Sequence, residues 1–247
     1  HFLLGESALR QYRGSPFEKT IKKAYQKIVN YVLDEDLKCD ISLLCDTFHF
    51  DPGPITVQYD PAVFKTVLRG LREKQTLKVS YFSAYTRKNA IREIDPYHIA
   101  NRSGEWYVLA FCHLKNAVRM FHIGRIKEAK MTEKEFEVLS GFDARAHIEK
   151  GFGIITDGKK SSVKIKFSPE SAVYVRDKEW HQGQTIKKLS DGSVVLSFVT
   201  EGLDAVKRWV LSFGSGAVVL EPEQLIEAVA KEGEKIRKLY KNSSKNR

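Results

Sequence analysis

The chain has 247 residues, 42% of them hydrophobic, with a formal net charge of +10 and a pI near 9.4. That length suits one large or two small domains with real cores, and the hydrophobic content excludes a disordered chain. The longest apolar runs, such as Trp106 to Cys112, are far too short to cross a bilayer, so no membrane role is expected.

The opening "HFLLGESALRQYRG" lacks a basic start and an extended apolar core, so no signal peptide is expected. A chain that begins with His1 reads as a fragment whose upstream portion is missing. Residues 1–75 read as mainly helical. "GSPFEKTIKKAYQKIVNYVLDED" carries a start signal: Ser15 as N-cap, Pro16 at the first helical position and Glu18 closing a capping box. Phe17, Ile21, Ala24, Ile28 and Val32 then fall at helical spacing and form one apolar stripe. Such a helix either packs on the domain core or serves as a dimerisation or connector helix. "FDPGPITVQYDP" is a turn-rich break. "DPAVFKTVLRGLREKQ" predicts a second helix, capped by Asp60 with Pro61 behind it.

From Leu77 the hydrophobic period changes to two. "LKVSYFS", "IREIDPYHIANRS", "EWYVLAFCH", "AVRMFHIGRI" and "KEAKMTEKEFEV" predict five short strands, with Pro96 confining the second to an edge or a bend. Five strands with tight turns and no helical insert over 76–140 predict a small barrel of SH3 or Sm-like size. Residues 141–160 read as a linker with a short helix near 144–150. Gly151 and Gly153 resemble the start of a dinucleotide loop, but Thr156 stands where a third glycine belongs. Residues 161–242 read strand, helix, hairpin around Asp191-Gly192, helix, strand, then a helix from Pro222. That order predicts a ferredoxin-like sandwich, and the whole chain is therefore α+β.

Cys39, Cys45 and Cys112 show no paired spacing, which suits a reducing cytoplasm. Cys39, Cys45 and His49 match no usual zinc pattern, and His98, His113 and His122 lack the compact spacing of a metal site. No P-loop, HExxH or GxSxG motif and no supported carboxylate pair appears. Neither a cofactor nor an enzymatic activity is expected. The positive charge favours an anionic partner. Residues 78–130 hold ten Lys or Arg against four Asp or Glu, so six of the ten excess charges lie in about a fifth of the chain.

The ordered set "EWYVLAF" and "VRMFHIGRI" resembles a WYL domain, a family named for a Trp-Tyr-Leu triplet. Here the triplet is Trp106-Tyr107-Val108, with Leu109 one step on. Tyr81 in the first strand, "REIDP" and "RMFHIGRI" resemble further family steps. The unit around "WVLSFGSGAVVLEP" is similar to the extension that often follows WYL domains. The opening segment resembles the connector to an upstream winged helix-turn-helix, which this chain lacks. The resemblance implies a bacterial transcription regulator, usually dimeric, whose WYL domain senses a ligand while the winged helix binds promoter DNA. Family members are associated with DNA-damage responses and phage defence, and nucleic acid or nucleotides are the ligands usually proposed.

Strand parity sharpens that expectation. Arg119, Phe121, Ile123 and Arg125 share one parity, and in a regular strand Arg119 and Arg125 lie roughly 20 Å apart at about 3.3 Å per residue. That span suits a few linked nucleotides better than a mononucleotide. Tyr107, Leu109, Phe111 and His113 share a parity on the preceding strand. The sequence thus predicts a basic groove for short single-stranded DNA, with Arg92, Arg119 and Arg125 on phosphates and Tyr81 and His113 near bases. Tyr107, His122 and His98 are further candidates, and Tyr85, Arg87 and Lys88 form a loop that either gates the groove or is a plain solvated turn. For the arginines the alternative is ordinary ion pairing, Arg92 with Glu93 or Asp95 and Arg125 with Glu128. Trp106 reads as core beside Val108 and Ala110, and Trp180 and Trp209 as core of the second unit. A rival reading is a nucleic-acid-binding accessory or defence protein that does not regulate transcription; a weaker one is a hydrolase using the histidines.

Overall fold

The computed structural model describes residues 9–32, 59–84, 86–102, 104–149, 152 and 159–243. The fold is α+β and divides into two compact units, residues 1–140 and 141–247, each with its own hydrophobic core.

The first unit holds helices α1 (Glu18–Val32) and α2 (Pro61–Glu73) and strands β1 (Gln75–Ser83), β2 (Lys88–Arg102), β3 (Glu105–Cys112), β4 (Ala117–His122) and β5 (Ile126–Glu135). The strands form one antiparallel sheet in the order β4-β3-β2-β1-β5. Helix α2 starts where its cap residues dictate. The Asp60 carboxylate accepts from the backbone N–H of Ala62 at 2.8 Å and of Val63 at 3.3 Å, and Pro61, with no N–H to satisfy, takes the first turn. The helix buries Val63, Phe64, Val67 and Gly70. Gly70 is required by close approach: a Cβ there would lie 2.7 Å from a Leu77 methyl carbon.

Helix α1 begins two residues later than its sequence suggests, because Pro16 and Phe17 form a turn. Ser15 Oγ accepts from the Phe17 N–H at 3.3 Å, and Glu18 reaches back to the Gly14 N–H at 2.7 Å. Of its apolar stripe, Phe17 docks on the core, with ring centroids 5.8 Å from Phe64 and 6.1 Å from Trp106. Ala24 and Ile28 face solvent.

Of the two places expected for Pro96, an edge or a bend, the structure shows the bend. Pro96 is buried in the middle strand of the sheet, not at an edge. Pairing of β2 with β1 has ended by Ile94, so the missing N–H breaks no bond on that side, and a bulge between Pro96 and His98 accommodates the other.

The second unit holds α3 (Ala144–Glu149), β6 (Ser161–Phe167), α4 (Pro169–Val175), β7 (Thr185–Lys188), β8 (Val194–Thr200), α5 (Leu203–Leu211), β9 (Ala217–Glu221) and α6 (Glu223–Ser243). Its sheet is antiparallel in the order β7-β8-β6-β9. Alternation sends Val163, Ile165 and Phe167 of β6, Val194, Leu196 and Phe198 of β8 and Val219 of β9 inward. Leu203, Val206 and Val210 of α5 complete that core, and the Trp180 and Trp209 rings pack against it 4.8 Å apart. The hairpin turn follows its Asp-Gly signal. Gly192 takes φ +83°, and the Asp191 carboxylate accepts from the Ser193 N–H at 2.9 Å and from Lys166 at 3.1 Å. The Ser193 hydroxyl and N–H and the Lys166 ammonium hold the Asp191 carboxyl down to about 2. Cys39, Cys45, His49, most of the turn-rich break, and Gly151, Gly153 and Thr156 lie outside the described residues.

Candidate nucleic-acid interface

Residues paired across neighbouring strands share a face. Arg119 on β4 stands opposite Ala110, which stands opposite Pro96; Phe121 stands opposite Val108 and then Ile99. On the other side of the sheet Arg92 stands opposite Val79, and Ala90 opposite Tyr81. Arg92, Arg119 and Tyr81 therefore lie on the face that carries Leu77, Val79, Ile94, Val108 and Ala110, the core face. They occupy its margins: Arg119 is exposed, Arg92 and Tyr81 half-buried. The Tyr81 ring meets Phe121 edge-on at 5.0 Å. Two strands across and four residues along separate the Arg92 and Arg119 backbones, roughly 16 Å on a flat sheet.

Arg125 is placed differently from its strand-parity position. Strand β4 stops at His122, Ile123–Arg125 form a 3-10 turn, and β5 begins at Ile126. Gly124 sits inside that turn and Ile123 folds into the core. A 3-10 turn rises only about 2 Å per residue, so Arg119 and Arg125 are closer than the regular-strand estimate. Arg125 lies within electrostatic reach of the Tyr107 phenol.

The histidines divide. His122 is buried and touches Glu105 through Nε2. Its ring stacks on Tyr59 at 6.1 Å and meets Tyr107 edge-on at 5.0 Å. Tyr59 ties the group together: its hydroxyl donates to Glu105 at 3.3 Å and accepts from the Trp106 N–H at 3.0 Å. His113 Nε2 stands 2.9 Å from Asp95 Oδ1, a buried oxygen that also accepts from the Thr76 hydroxyl at 2.6 Å. His98 is exposed, opposite Leu109 and away from the arginine face. Arg87 and Lys88 are exposed at the β1–β2 turn, and Tyr85 lies outside the described residues. The structure thus gathers Tyr81, Arg92 and Arg119 on one face with Arg125 at an adjoining turn. It sets Tyr107, His113 and His122 in or beside buried carboxylate networks.

The carboxylates near the arginines are occupied elsewhere. Glu93 binds Lys134 at 2.8 Å, which holds its carboxyl below the ordinary range, and Asp95 binds His113. Among the described residues, Arg92, Arg119 and Arg125 form no ion pair, so the Arg92–Glu93, Arg92–Asp95 and Arg125–Glu128 pairs do not exist in this structure. Three arginines without carboxylate partners on and beside one face make a local excess of positive potential suited to phosphates. No three His, Cys, Asp or Glu among the described residues converge to hold a metal ion.

Sequence reasoning missed Tyr59, Glu105 and Thr76. Tyr59 and Glu105 are 46 residues apart and Thr76 and Asp95 are 19 apart, so only strand register and the placement of α2 bring them together.

Tyr107 offers a check on this environment. Burial, reinforced by Glu105 and opposed by Arg125, pushes its phenol up to about 12 from an ordinary 10. A raised folded value means that stability from this group is complete below pH about 10 and is lost as pH rises through about 12. Near-ultraviolet titration should show one tyrosine ionising near pH 12, absent in Tyr107→Phe. Ionisation of every tyrosine near pH 10 in the folded chain would contradict the buried placement.

Comparison with known proteins places these elements. Residues 62–131 match the WYL domain and residues 159–237 the WCX domain. Protein PafC of Mycobacterium tuberculosis is 25% identical over 166 residues, covering 66% of this chain and 50% of that protein. The DNA-binding transcriptional repressor CapW of Pseudomonas aeruginosa is 33% identical over 64 residues, 26% of this chain and 21% of that protein. The chain spans about half the length of PafC. A solved structure described as a CRISPR Cas-related protein superposes with a TM-score of 0.50 at 15% identity, covering 74% of this chain and 52% of that one, a likeness of fold.

Proposed function

This chain carries a WYL domain followed by a WCX domain, and from that premise we propose that it is the ligand-sensing, dimerising region of a bacterial transcription regulator. Its WYL sheet binds a short single-stranded DNA, and the bound strand biases promoter binding by a winged helix-turn-helix outside this chain. The role is binding, not catalysis, and the site of action is the cytoplasm. The observation that carries the reading is the set Arg92, Arg119 and Arg125, at or beside one sheet face and without carboxylate partners among the described residues. The strand order β4-β3-β2-β1-β5, with a 3-10 turn joining β4 to β5, supports an SH3 or Sm-like barrel for residues 76–140. The order β7-β8-β6-β9 in a βαββαβ chain supports a ferredoxin-like sandwich for residues 161–242.

A ligand can shift the regulator only through different affinities for its two states. In that scheme the strand binds one arrangement of a homodimer more tightly, and light scattering of the purified chain checks the dimer. The deciding experiment is fluorescence anisotropy of this chain with a labelled single-stranded 12-mer, beside duplex DNA and a mononucleotide, across a salt series. Preference for the single strand, with affinity falling steeply as salt rises, is the expected result. Equal or tighter binding of duplex, or no binding at low salt, would refute the reading.

A further inference from the structure

Arg125 stands on a turn only three residues long. Ile123–Arg125 form a single 3-10 turn, and the Ile126 N–H donates to the Ile123 carbonyl to close it. Such turns have poorer hydrogen-bond geometry than an α-helix and persist only as short pieces. Ile123 and Ile126 are buried and tie the turn to the core. Gly124 offers no side chain, and Arg125 is exposed. A third restraint acts at His122, the residue from which the turn starts.

His122 is buried, and among the described residues its ring has one polar contact, from Nε2 to Glu105. Glu105 also accepts from the Tyr59 hydroxyl, and Tyr59 immediately precedes Asp60, the cap of α2. The anchor of the turn therefore reaches back to the start of that helix. Packing alone does not account for the pair. His122 Nδ1 is buried without a hydrogen-bond partner, and a buried polar atom left unmet lowers stability. An apolar ring of similar volume would fill the same space as well. The neighbours of the pair point to the turn. Tyr107 stands opposite His122 in the β3–β4 register, and the two rings meet edge-on at 5.0 Å. The Tyr107 phenol is also within electrostatic reach of Arg125, so His122 and Arg125 converge on one side chain.

We infer that His122 is a positioning residue for Arg125: anchored to Glu105, it fixes the start of the Ile123–Arg125 turn and so the place at which the Arg125 guanidinium meets a phosphate. The inference rests on the reading of the arginine face as a nucleic-acid site. His122 acts through Arg125 and does not itself touch the strand.

The test is a double-variant cycle on the whole chain, read by anisotropy with an oligothymidine 12-mer over a salt series. His122→Phe keeps an aromatic ring but loses the contact to Glu105. It should weaken binding about 10-fold, the effect of one guanidinium-phosphate contact, and lower the slope of log affinity against log salt by about 0.7. In the Arg125→Ala background it should add less than about 2-fold, because the contact through which it acts is already gone. His122→Gln, which offers an amide N–H near the place of Nε2, should recover most of the loss. Hydrogen exchange reads the turn without any ligand: the Ile126 amide should exchange about 10-fold faster in His122→Phe, with the amides of β1 and β2 little changed. Should His122→Phe fail to fold, Glu105→Ala releases the same ring and enters the same cycle. An equal loss of affinity in the parent and Arg125→Ala backgrounds would overturn the inference, as would full affinity in His122→Phe or exchange that rises equally across the sheet. No binding of the 12-mer by the unaltered chain would refute the nucleic-acid reading, whereas unchanged Ile126 exchange in His122→Phe would refute the hold on the turn.

Discussion

Arg119→Ala combined with Arg125→Ala should weaken single-stranded DNA binding about 100-fold or more while leaving the fold intact. Hydrogen bonds to a charged group contribute about 1.5–3 kcal/mol each, so the loss of two guanidinium-phosphate contacts reaches that range even when the two are not additive. The salt slope should fall by about 1.4. Stability should stay within roughly 0.5 kcal/mol of the parent, because both side chains are exposed and neither forms an ion pair among the described residues. Anisotropy and urea denaturation on one preparation measure both quantities. Unfolding of the double variant would point to a structural role for these arginines and would remove the assignment.

Phe64→Ala should produce the largest loss of stability in the first unit, about 3–5 kcal/mol. Phe64 has no solvent exposure and meets Phe17, Tyr59 and Trp106 edge-on, at 5.8, 6.0 and 5.6 Å. Truncation leaves a cavity beneath both the Pro16–Phe17 turn that precedes α1 and Trp106. Phe17, Tyr59 and Trp106 come from three distant segments, so no single backbone shift refills the space. Tyr31→Ala is the matched control: Tyr31 is 92% exposed, and its loss should change stability by no more than about 0.5 kcal/mol. Chemical denaturation followed by tryptophan fluorescence separates the two. A cost below about 1 kcal/mol for Phe64→Ala would mean that the three rings do not close on that site.

Much of the architecture was legible wherever local chemistry determines it. Asp60-Pro61 starts α2 because a carboxylate and a residue without an N–H satisfy the first turn on their own. Asp191-Gly192 turns the β7–β8 hairpin because glycine accepts φ +83° without a Cβ clash. Alternation located β1, whose inward face carries Leu77 and Val79, and an unbroken apolar run located β3, which is buried on both faces. The candidate site was legible as residue types but not as an arrangement. Strand parity held for Arg119 and Phe121 and failed at Ile123, where the chain folds into a 3-10 turn that no alternation pattern encodes. The histidines looked available because their acids are remote in sequence: Glu105 is 17 residues from His122, and Asp95 is 18 from His113. Helix α1 starts two residues after Pro16 because its capping residues precede a turn instead of the first helical residue.

The bulge in β2 has an effect beyond sparing a hydrogen bond at Pro96. A strict ladder offers its side chains only two directions, and every residue of β2 that follows the ladder must take one or the other. Between Pro96 and His98 the strand spends two residues against one step of β3, and the supernumerary residue is Tyr97. Released from the alternation, Tyr97 meets the Phe136 ring at 5.6 Å and hydrogen-bonds the backbone of Leu139. The irregularity therefore works as a tether, by which a central strand clasps the chain after it has left the last strand of the same sheet.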